Sequence, residues 1–275
     1  MKTLSACLIC VLSFVQFTVA QDRPAVAPTT APAPVTARAP QQDPAIAAAK
    51  YDAKLGGPST RFIDMHEQFL ARAKEGNVDL LFLGDSITQG WGGAGKDAWQ
   101  KHYAKYNVAN FGIGGDQTQH VLWRIENGEL DGINPKVIVL MIGTNNTAGH
   151  DADRIAEGVT KIVKTAQAKT GAKILLLGVF PRGMTQQQAE ATTRPKALED
   201  AKLALRQREK IARINEIISK LDDGKTVRYL DLKDTFMQDG TISKEIMPDY
   251  LHLSPKGYAM WAEAMDPLLT EMMGQ

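Results

Sequence analysis

Past its first twenty residues the sequence has no cysteine, because Cys7 and Cys10 both fall inside that leader. Disulfides and thiolate chemistry are therefore excluded from the rest of the chain. A charge imbalance is missing as well. The 275 residues hold 32 basic and 31 acidic side chains, and Lys2 is the sole charge of the leader, which leaves 31 against 31. Such a balance argues against nucleic-acid binding and against a polybasic membrane patch. No transmembrane anchor is expected, since the apolar stretch from Leu8 to Val19 is too short to cross a bilayer. Lys2, that stretch and the small residues Thr18-Val19-Ala20 instead form the pattern of a secretory signal peptide over residues 1–20. The expected destination is extracytoplasmic, either secreted or periplasmic.

Residues 21–50 lack glycine and aromatic side chains but carry six of the thirteen prolines and ten alanines. A segment so composed cannot bury a core and reads as a disordered, extended spacer. Residues 51–275 then suit one domain.

Within that domain, Phe62, Met65, His66, Phe69 and Leu70 recur at helical spacing behind the capping candidates Ser59 and Thr60, and Gly76-Asn77 ends the pattern. Five apolar runs follow that fit buried parallel strands, at residues 78–83, 107–110, 137–142, 173–180 and 227–232. Helical stretches lie between them, at 151–168 and 196–221, and a last helix starts after Ser254-Pro255. This alternation predicts an α/β fold, a three-layer α/β/α sandwich around a five-stranded parallel sheet. Ligands bind such sheets beyond the carboxyl ends of the strands, where the strand order reverses.

Two chemistries compete for the stretch FLGDSITQGWGGAGKD at 82–97. Gly90 to Lys96 has the glycine spacing of a phosphate-cradling loop, but Asp97 stands where a magnesium-binding serine or threonine is needed. Residues 86–89 also separate the glycines from the strand, and GIGGDQ at 112–117 lacks the last glycine of a dinucleotide fingerprint. The glycines read more simply as a flexible, exposed loop. Ser86, by contrast, falls just past the first strand at a helix start, where a negatively charged oxygen is favoured. Gly112-Ile113-Gly114-Gly115 follows the second strand, and Gly143-Thr144-Asn145-Asn146 follows the third. Three neighbouring strand ends thus offer a hydroxyl, a bare amide and a carboxamide, which are the requirements of acyl transfer. Taken singly, Gly115 would equally serve a tight turn and Asn145 a helix cap.

A serine nucleophile needs a base. Of the five histidines, His66 falls on an apolar helix stripe, and His102, His120 and His150 have no carboxylate at a telling spacing. His252 differs, because in PDYLHLSP it follows Asp249 by three residues, close enough for the carboxylate to hold Nδ1 and leave Nε2 for the serine. Trp91, Trp123 and Trp261 read as packing rather than as pocket walls.

The blocks FLGDSITQ, NFGIGGDQTQHVLWRI, VIVLMIGTNN and DYLHLSPKGY occur in this order from about Val78 to the last helix. Together they resemble the SGNH (GDSL-type) hydrolases, and within them the catalytic α-subunits of platelet-activating factor acetylhydrolase. The resemblance implies a flavodoxin-like sheet of strand order 2-1-3-4-5 and no metal or other cofactor. It implies Ser86 as nucleophile, His252 as base and Asp249 as its orienting acid, with Asp85 supporting the loop that holds the serine. The oxyanion hole would be the N–H groups of Ser86 and Gly115 and the amide of Asn145.

The function expected from residues and resemblance together is an exported serine esterase for short acyl esters, acetyl above all, with a small acyl ester or acetylated glycan as substrate. A lysophospholipase or thioesterase acting on lipids is the enzymatic alternative. A non-catalytic envelope- or glycan-binding module on the same fold is the other, although the serine, histidine and acid all survive here. The resemblance also allows a homodimer. Residues 184–207, longer than the family pattern, read as a solvated helical extension rather than a cover over the site.

Overall fold

The computed structural model describes residues 41–274. The expected signal peptide and the spacer up to residue 40 lie outside the described residues. Five parallel strands form the sheet: β1 (Leu80–Gly84), β2 (Val108–Gly112), β3 (Val137–Met141), β4 (Lys173–Leu177) and β5 (Val227–Leu230). Their spatial order is 2-1-3-4-5, with β1 paired to both β2 and β3. The reversal therefore falls at β1, the strand that leads into Ser86.

Every residue of β1 and β3 is buried. Alternate side chains feed two cores, as expected of a sheet covered on both faces. Leu81, Leu83, Ile138 and Leu140 face one layer, where they meet Ile155, Val159 and Ile162 of α5 (Ala152–Thr170) and Ile211, Ile214 and Ile218 of α7 (Ala197–Ile218). Leu80, Phe82, Val137 and Val139 face the other, against Trp91, Tyr103 of α3 (Lys96–Tyr103), and Tyr258, Trp261 and Met265 of α9 (Pro255–Met273). The first layer also holds α1 (Thr60–Lys74) and α4 (Thr118–Arg124). The three-layer α/β/α sandwich is thus present. Short helices α2 (Ser86–Gln89), α6 (Gln186–Glu190) and α8 (Lys233–Phe236) complete the connections. Among the described residues no helix is long and apolar enough to cross a membrane.

Helix ends follow local chemistry. Ser254 Oγ accepts from Gly257 N at 3.2 Å, with Pro255 at the first helical position of α9. Gly76 and Asn77 both take positive φ after α1, whereas Ser59 occupies its N-cap without a side-chain bond.

Three expectations need correction. Residues 41–50 are not a free spacer. Pro44 and Ala45 are buried, Thr118 Oγ1 donates to Pro44 O at 2.7 Å, and Lys161 Nζ donates to Ala45 O at 2.8 Å. Arg154 pairs with Asp43 at 2.7 Å, and Ala48 N donates to Gln119 O at 3.1 Å. A Pro/Ala-rich sequence needs no flexibility when helices α4 and α5 supply partners for its backbone.

Nor is the glycine stretch after Ser86 merely an open loop. A Cβ on Gly90 would lie 2.0 Å from Tyr258 Oη, and one on Gly95 would lie 2.8 Å from the rings of Trp91 and Tyr258. The missing side chains let this turn close on the aromatic core.

Lastly, the segment after Gly183 is not only a solvated extension. Met184, Ala189, Ala197 and Ala201 form a small apolar cluster against Tyr250, and Gly183 N donates to Tyr250 O at 2.7 Å.

Candidate active site

Strand register brings the site together. Gly84, Gly112 and Met141 are paired neighbours at the carboxyl ends of β1, β2 and β3. The next residues of each strand, Asp85-Ser86, Ile113 to Asp116 and Thr144-Asn145, therefore emerge side by side. Gly112 permits this closeness, since a Cβ there would sit 2.3 Å from Gln89 N of α2.

Ser86 opens α2 and Asp85 is its N-cap, accepting from Ile87 N at 2.9 Å. Ser86 Oγ lies 2.9 Å from His252 Nε2, and His252 Nδ1 lies 2.7 Å from Asp249 Oδ2. The second Asp249 oxygen accepts from the N–H groups of His252 at 2.7 Å and Leu251 at 3.0 Å. Burial raises the Asp249 carboxyl, but the bonds from the His252 ring and from these N–H groups outweigh it and hold the pKa below the ordinary value. An anionic Asp249 accepts a hydrogen bond from Nδ1–H, which keeps the proton on that nitrogen and leaves Nε2 with its lone pair toward the serine hydroxyl. Tyr250, between acid and base, adopts φ +60°, a left-handed turn in place of a helical one.

Asn145 lies beside the residues that neighbour the other two expected donors. Asn145 Nδ2 donates to Asp116 O at 2.9 Å and lies 3.3 Å from Asp85 Oδ2, so it touches the residues flanking Gly115 and Ser86. Gly115 has φ +76° on an exposed turn. Asn146 faces away, its carbonyl oxygen accepting from Thr118 N and its amide donating to Gln119 Oε1, both at 3.0 Å. Asp85 is fully buried, and burial pushes its carboxyl up to about 7. Its placement beneath the serine, capping α2 and meeting Asn145, fits support of the loop.

Behind these donors runs a buried charge network absent from the sequence reading. Arg124, fully buried, donates from Nε to Asp116 Oδ2 at 2.9 Å and from Nη1 to Glu129. Its Nη2 reaches Gly84 O at 3.3 Å and Phe111 O at 3.1 Å. His66 Nδ1 meets Glu129 Oε1 at 2.8 Å, so its place on the α1 stripe is polar as well as packed. Burial pushes Asp116 up to about 6, against the pull of Arg124 and Lys50. Lys50 Nζ, from the segment 41–50, lies 3.8 Å from the other Asp116 oxygen.

The remaining histidines stay outside the relay. His120 is pushed down to about 3 by burial and by the nearby cations, and it accepts from Gln117 N at 3.0 Å. His150 meets Gln42 O at 2.8 Å. His102 does have a carboxylate partner, Asp266 of α9, which its sequence neighbours could not reveal. Trp91 and Trp261 pack in the core, while Trp123 is half-buried against His66. Among the described residues no group of three or more His, Cys, Asp or Glu is placed to hold a metal ion.

Beside Asp249 open two cavities, of about 500 and 240 Å³. Met184, Arg194 and Tyr250 line both, with Gln188 and Lys244 on the first and Arg182 and Asp200 on the second. Arg182 Nη1 also donates to Thr144 O at 3.1 Å, which ties this wall to the loop carrying Asn145.

The model of the GDSL-like lipase/acylhydrolase family matches residues 82–260. The bovine (Bos taurus) platelet-activating factor acetylhydrolase IB subunit alpha1 is 37% identical over 218 residues, covering 78% of this chain and 85% of its own. Among solved structures, a GDSL-like lipase from Bacteroides thetaiotaomicron is similar at a TM-score of 0.56 and 17% identity, over 76% of this chain and 97% of its own. A carbohydrate acetylesterase from Sinorhizobium meliloti is similar at 0.51 and 17%, over 71% and 99%. These two likenesses concern the fold. The family match and the acetylhydrolase identity go further: the chain belongs to the GDSL-like lipase/acylhydrolase family and is a carboxylic ester hydrolase.

Proposed function

We propose that the protein is an exported serine esterase that removes short acyl groups, acetyl above all, from acetylated glycans of the cell envelope or its surroundings. One observation carries the serine mechanism, the relay from Ser86 Oγ to His252 at 2.9 Å and on to Asp249 at 2.7 Å. Ser86 Oγ attacks the ester carbonyl carbon while its proton passes to Nε2 of His252. The resulting oxyanion is received by the N–H groups of Ser86 and Gly115 and by the Asn145 amide. Collapse breaks the bond to the alcohol, whose oxygen takes the proton from His252. Water then attacks acyl-Ser86 with His252 again as base, and the carboxylic acid departs with Ser86 restored. Asp249 stabilises the imidazolium in both halves.

Asn145 must exchange its long contact with Asp85 for the oxyanion, an interaction made only as negative charge develops. Asn145→Ala is accordingly expected to lower kcat about 10²–10³-fold, roughly 3–4 kcal/mol, with little change in KM. Steady-state kinetics check this, and an unaltered kcat would remove Asn145 from the hole.

Support for a glycan comes from the wall beside Asp249, where arginine, lysine, glutamine and tyrosine side chains among apolar neighbours can bond the hydroxyl groups of an alcohol. Export by the signal-like leader would bring such a substrate within reach, and two of the similar proteins are named for acetyl removal. The test pairs a fluorophosphonate with an ester series. Peptide mass analysis is expected to find phosphonylated Ser86. Among p-nitrophenyl acetate, butyrate, octanoate and palmitate, the acetate is expected to have the highest kcat/KM, with acetate also released from acetylated xylan. No labelling of Ser86 would favour a binding module. Preference for octanoate or palmitate would favour a lipid hydrolase.

A further inference from the structure

Lys50 ends the strap of residues 41–50, and its ammonium reaches across the turn that carries Gly115. Nζ donates to Gly114 O at 2.7 Å and faces Asp116 Oδ1 at 3.8 Å. It thus holds the residues on both sides of Gly115. A Cβ on Gly115 would come within 2.8 Å of Nζ, so glycine is what lets the ammonium sit there.

The Gly114 carbonyl and the Gly115 N–H belong to one planar peptide. In a trans peptide the two groups point in opposite directions. A donor that fixes the carbonyl therefore fixes the direction of the N–H. This peptide needs such an anchor, because it joins two glycines at the surface, where rotation meets little steric resistance. The preceding peptide is held separately, by Gly114 N donating to Gln89 Oε1 at 3.0 Å. A charged donor on the carbonyl also polarises the peptide and strengthens its N–H as a donor.

Lys50 is itself held from both sides. Its chain approaches through Ala48, anchored on Gln119 O at 3.1 Å, and leaves through Lys50 O, which accepts from Ser59 N at 2.7 Å. Asp116, fixed by Arg124, supplies the countercharge.

We propose that Lys50 is a positioning residue for ester hydrolysis, which aims the Gly115 N–H at the oxyanion by holding the Gly114 carbonyl. The inference rests on the serine-esterase reading above and on Gly115 as a donor. It gives the alanine- and proline-rich strap a part in turnover.

The experiment compares full-length wild type, Lys50→Met, Lys50→Arg and Ser86→Ala. It records kcat and KM on p-nitrophenyl acetate, the Ki of an alkylboronic acid and Tm. The boronate forms a tetrahedral adduct on Ser86 and places an oxygen in the hole. One oxyanion donor is worth about 10²–10³ in rate, and a misaimed one forfeits part of it, so Lys50→Met is expected to lower kcat about 10–100-fold. Its KM should stay within about twofold, and its boronate affinity should weaken by a factor like that in kcat. Lys50→Arg, which keeps charge and reach, should recover most of the loss. If Lys50→Met does not fold, Lys50→Ala, which also lacks a donor, carries the same comparison.

Unchanged kcat in Lys50→Met would overturn the proposal. So would a fall in kcat with boronate affinity intact, or a loss that Lys50→Arg fails to recover. Wild-type turnover that survives Ser86→Ala would instead sink the serine-esterase reading, and this inference with it.

Discussion

Ser86→Ala is expected to lower turnover of p-nitrophenyl acetate about 10⁴–10⁶-fold while leaving the thermal midpoint nearly unchanged. The substitution removes one oxygen from a half-buried position and disturbs neither the Asp85 cap nor the strand pairing beneath it. The relay acts as a unit. His252→Ala should therefore cost nearly as much as Ser86→Ala, and the double variant little more than either. Asp249→Asn tests the remaining member differently. An amide donor facing Nδ1 would favour the tautomer with its proton on Nε2, which cannot accept from Ser86. Turnover measured on all four variants checks the pattern. Losses that multiply in the double variant would mean that Ser86 and His252 work independently, which the 2.9 Å contact between them denies.

The sheet was legible because strands buried on both faces have a direct signature: short, nearly unbroken apolar runs such as residues 137–142. Ser86, Asp249 and His252 were legible for another reason. Their grouping is signalled by local spacing, a serine just past a strand and an acid three residues before a histidine, and the resemblance supplied the pairing across the chain. Lys50 was hidden because its function lies in a partner 64 residues away. Seen in sequence, it closes a run of alanines that looks like a spacer. His102 and Asp266, 164 residues apart, were invisible for the same reason. Arg124 was in plain view within the quoted block NFGIGGDQTQHVLWRI, but charge on a helix normally signals a solvated face. Only the structure reveals that this one points inward. Asp116 carries one sequence clue, an acid directly after two glycines, but its burial is visible only in the structure. The left-handed Tyr250 had no signal at all, since its conformation is imposed by Asp249 accepting two N–H groups at once.

The second large effect concerns stability rather than chemistry. Arg124→Met should destabilise the protein by about 3–5 kcal/mol, because removing one partner from a buried ion network leaves the others uncompensated. For a domain of this size that corresponds to a fall in Tm of about 6–20 °C. Arg124 lies between two carboxylates, Asp116 and Glu129, both fully buried. After its loss Asp116 keeps Lys50 at 3.8 Å and Glu129 keeps His66 at 2.8 Å, neither of which spans the gap that the guanidinium fills. Two carbonyls lose a donor too, Gly84 O and Phe111 O at the ends of β1 and β2. These are the strand ends from which Ser86 and Gly115 emerge, so activity should fall even where the variant remains folded. Arg124→Lys should recover only part of the stability, since an ammonium is a single point charge and cannot match a planar fork serving two acids and two carbonyls. Neutralising the partners offers the sharper discrimination. If the loss comes from stranded charge, adding Asp116→Asn and Glu129→Gln to Arg124→Met should restore stability, although each alone in wild type should reduce it. Thermal and urea unfolding of this set decides the matter. A triple variant no more stable than Arg124→Met would assign the loss to packing and to the two carbonyls instead.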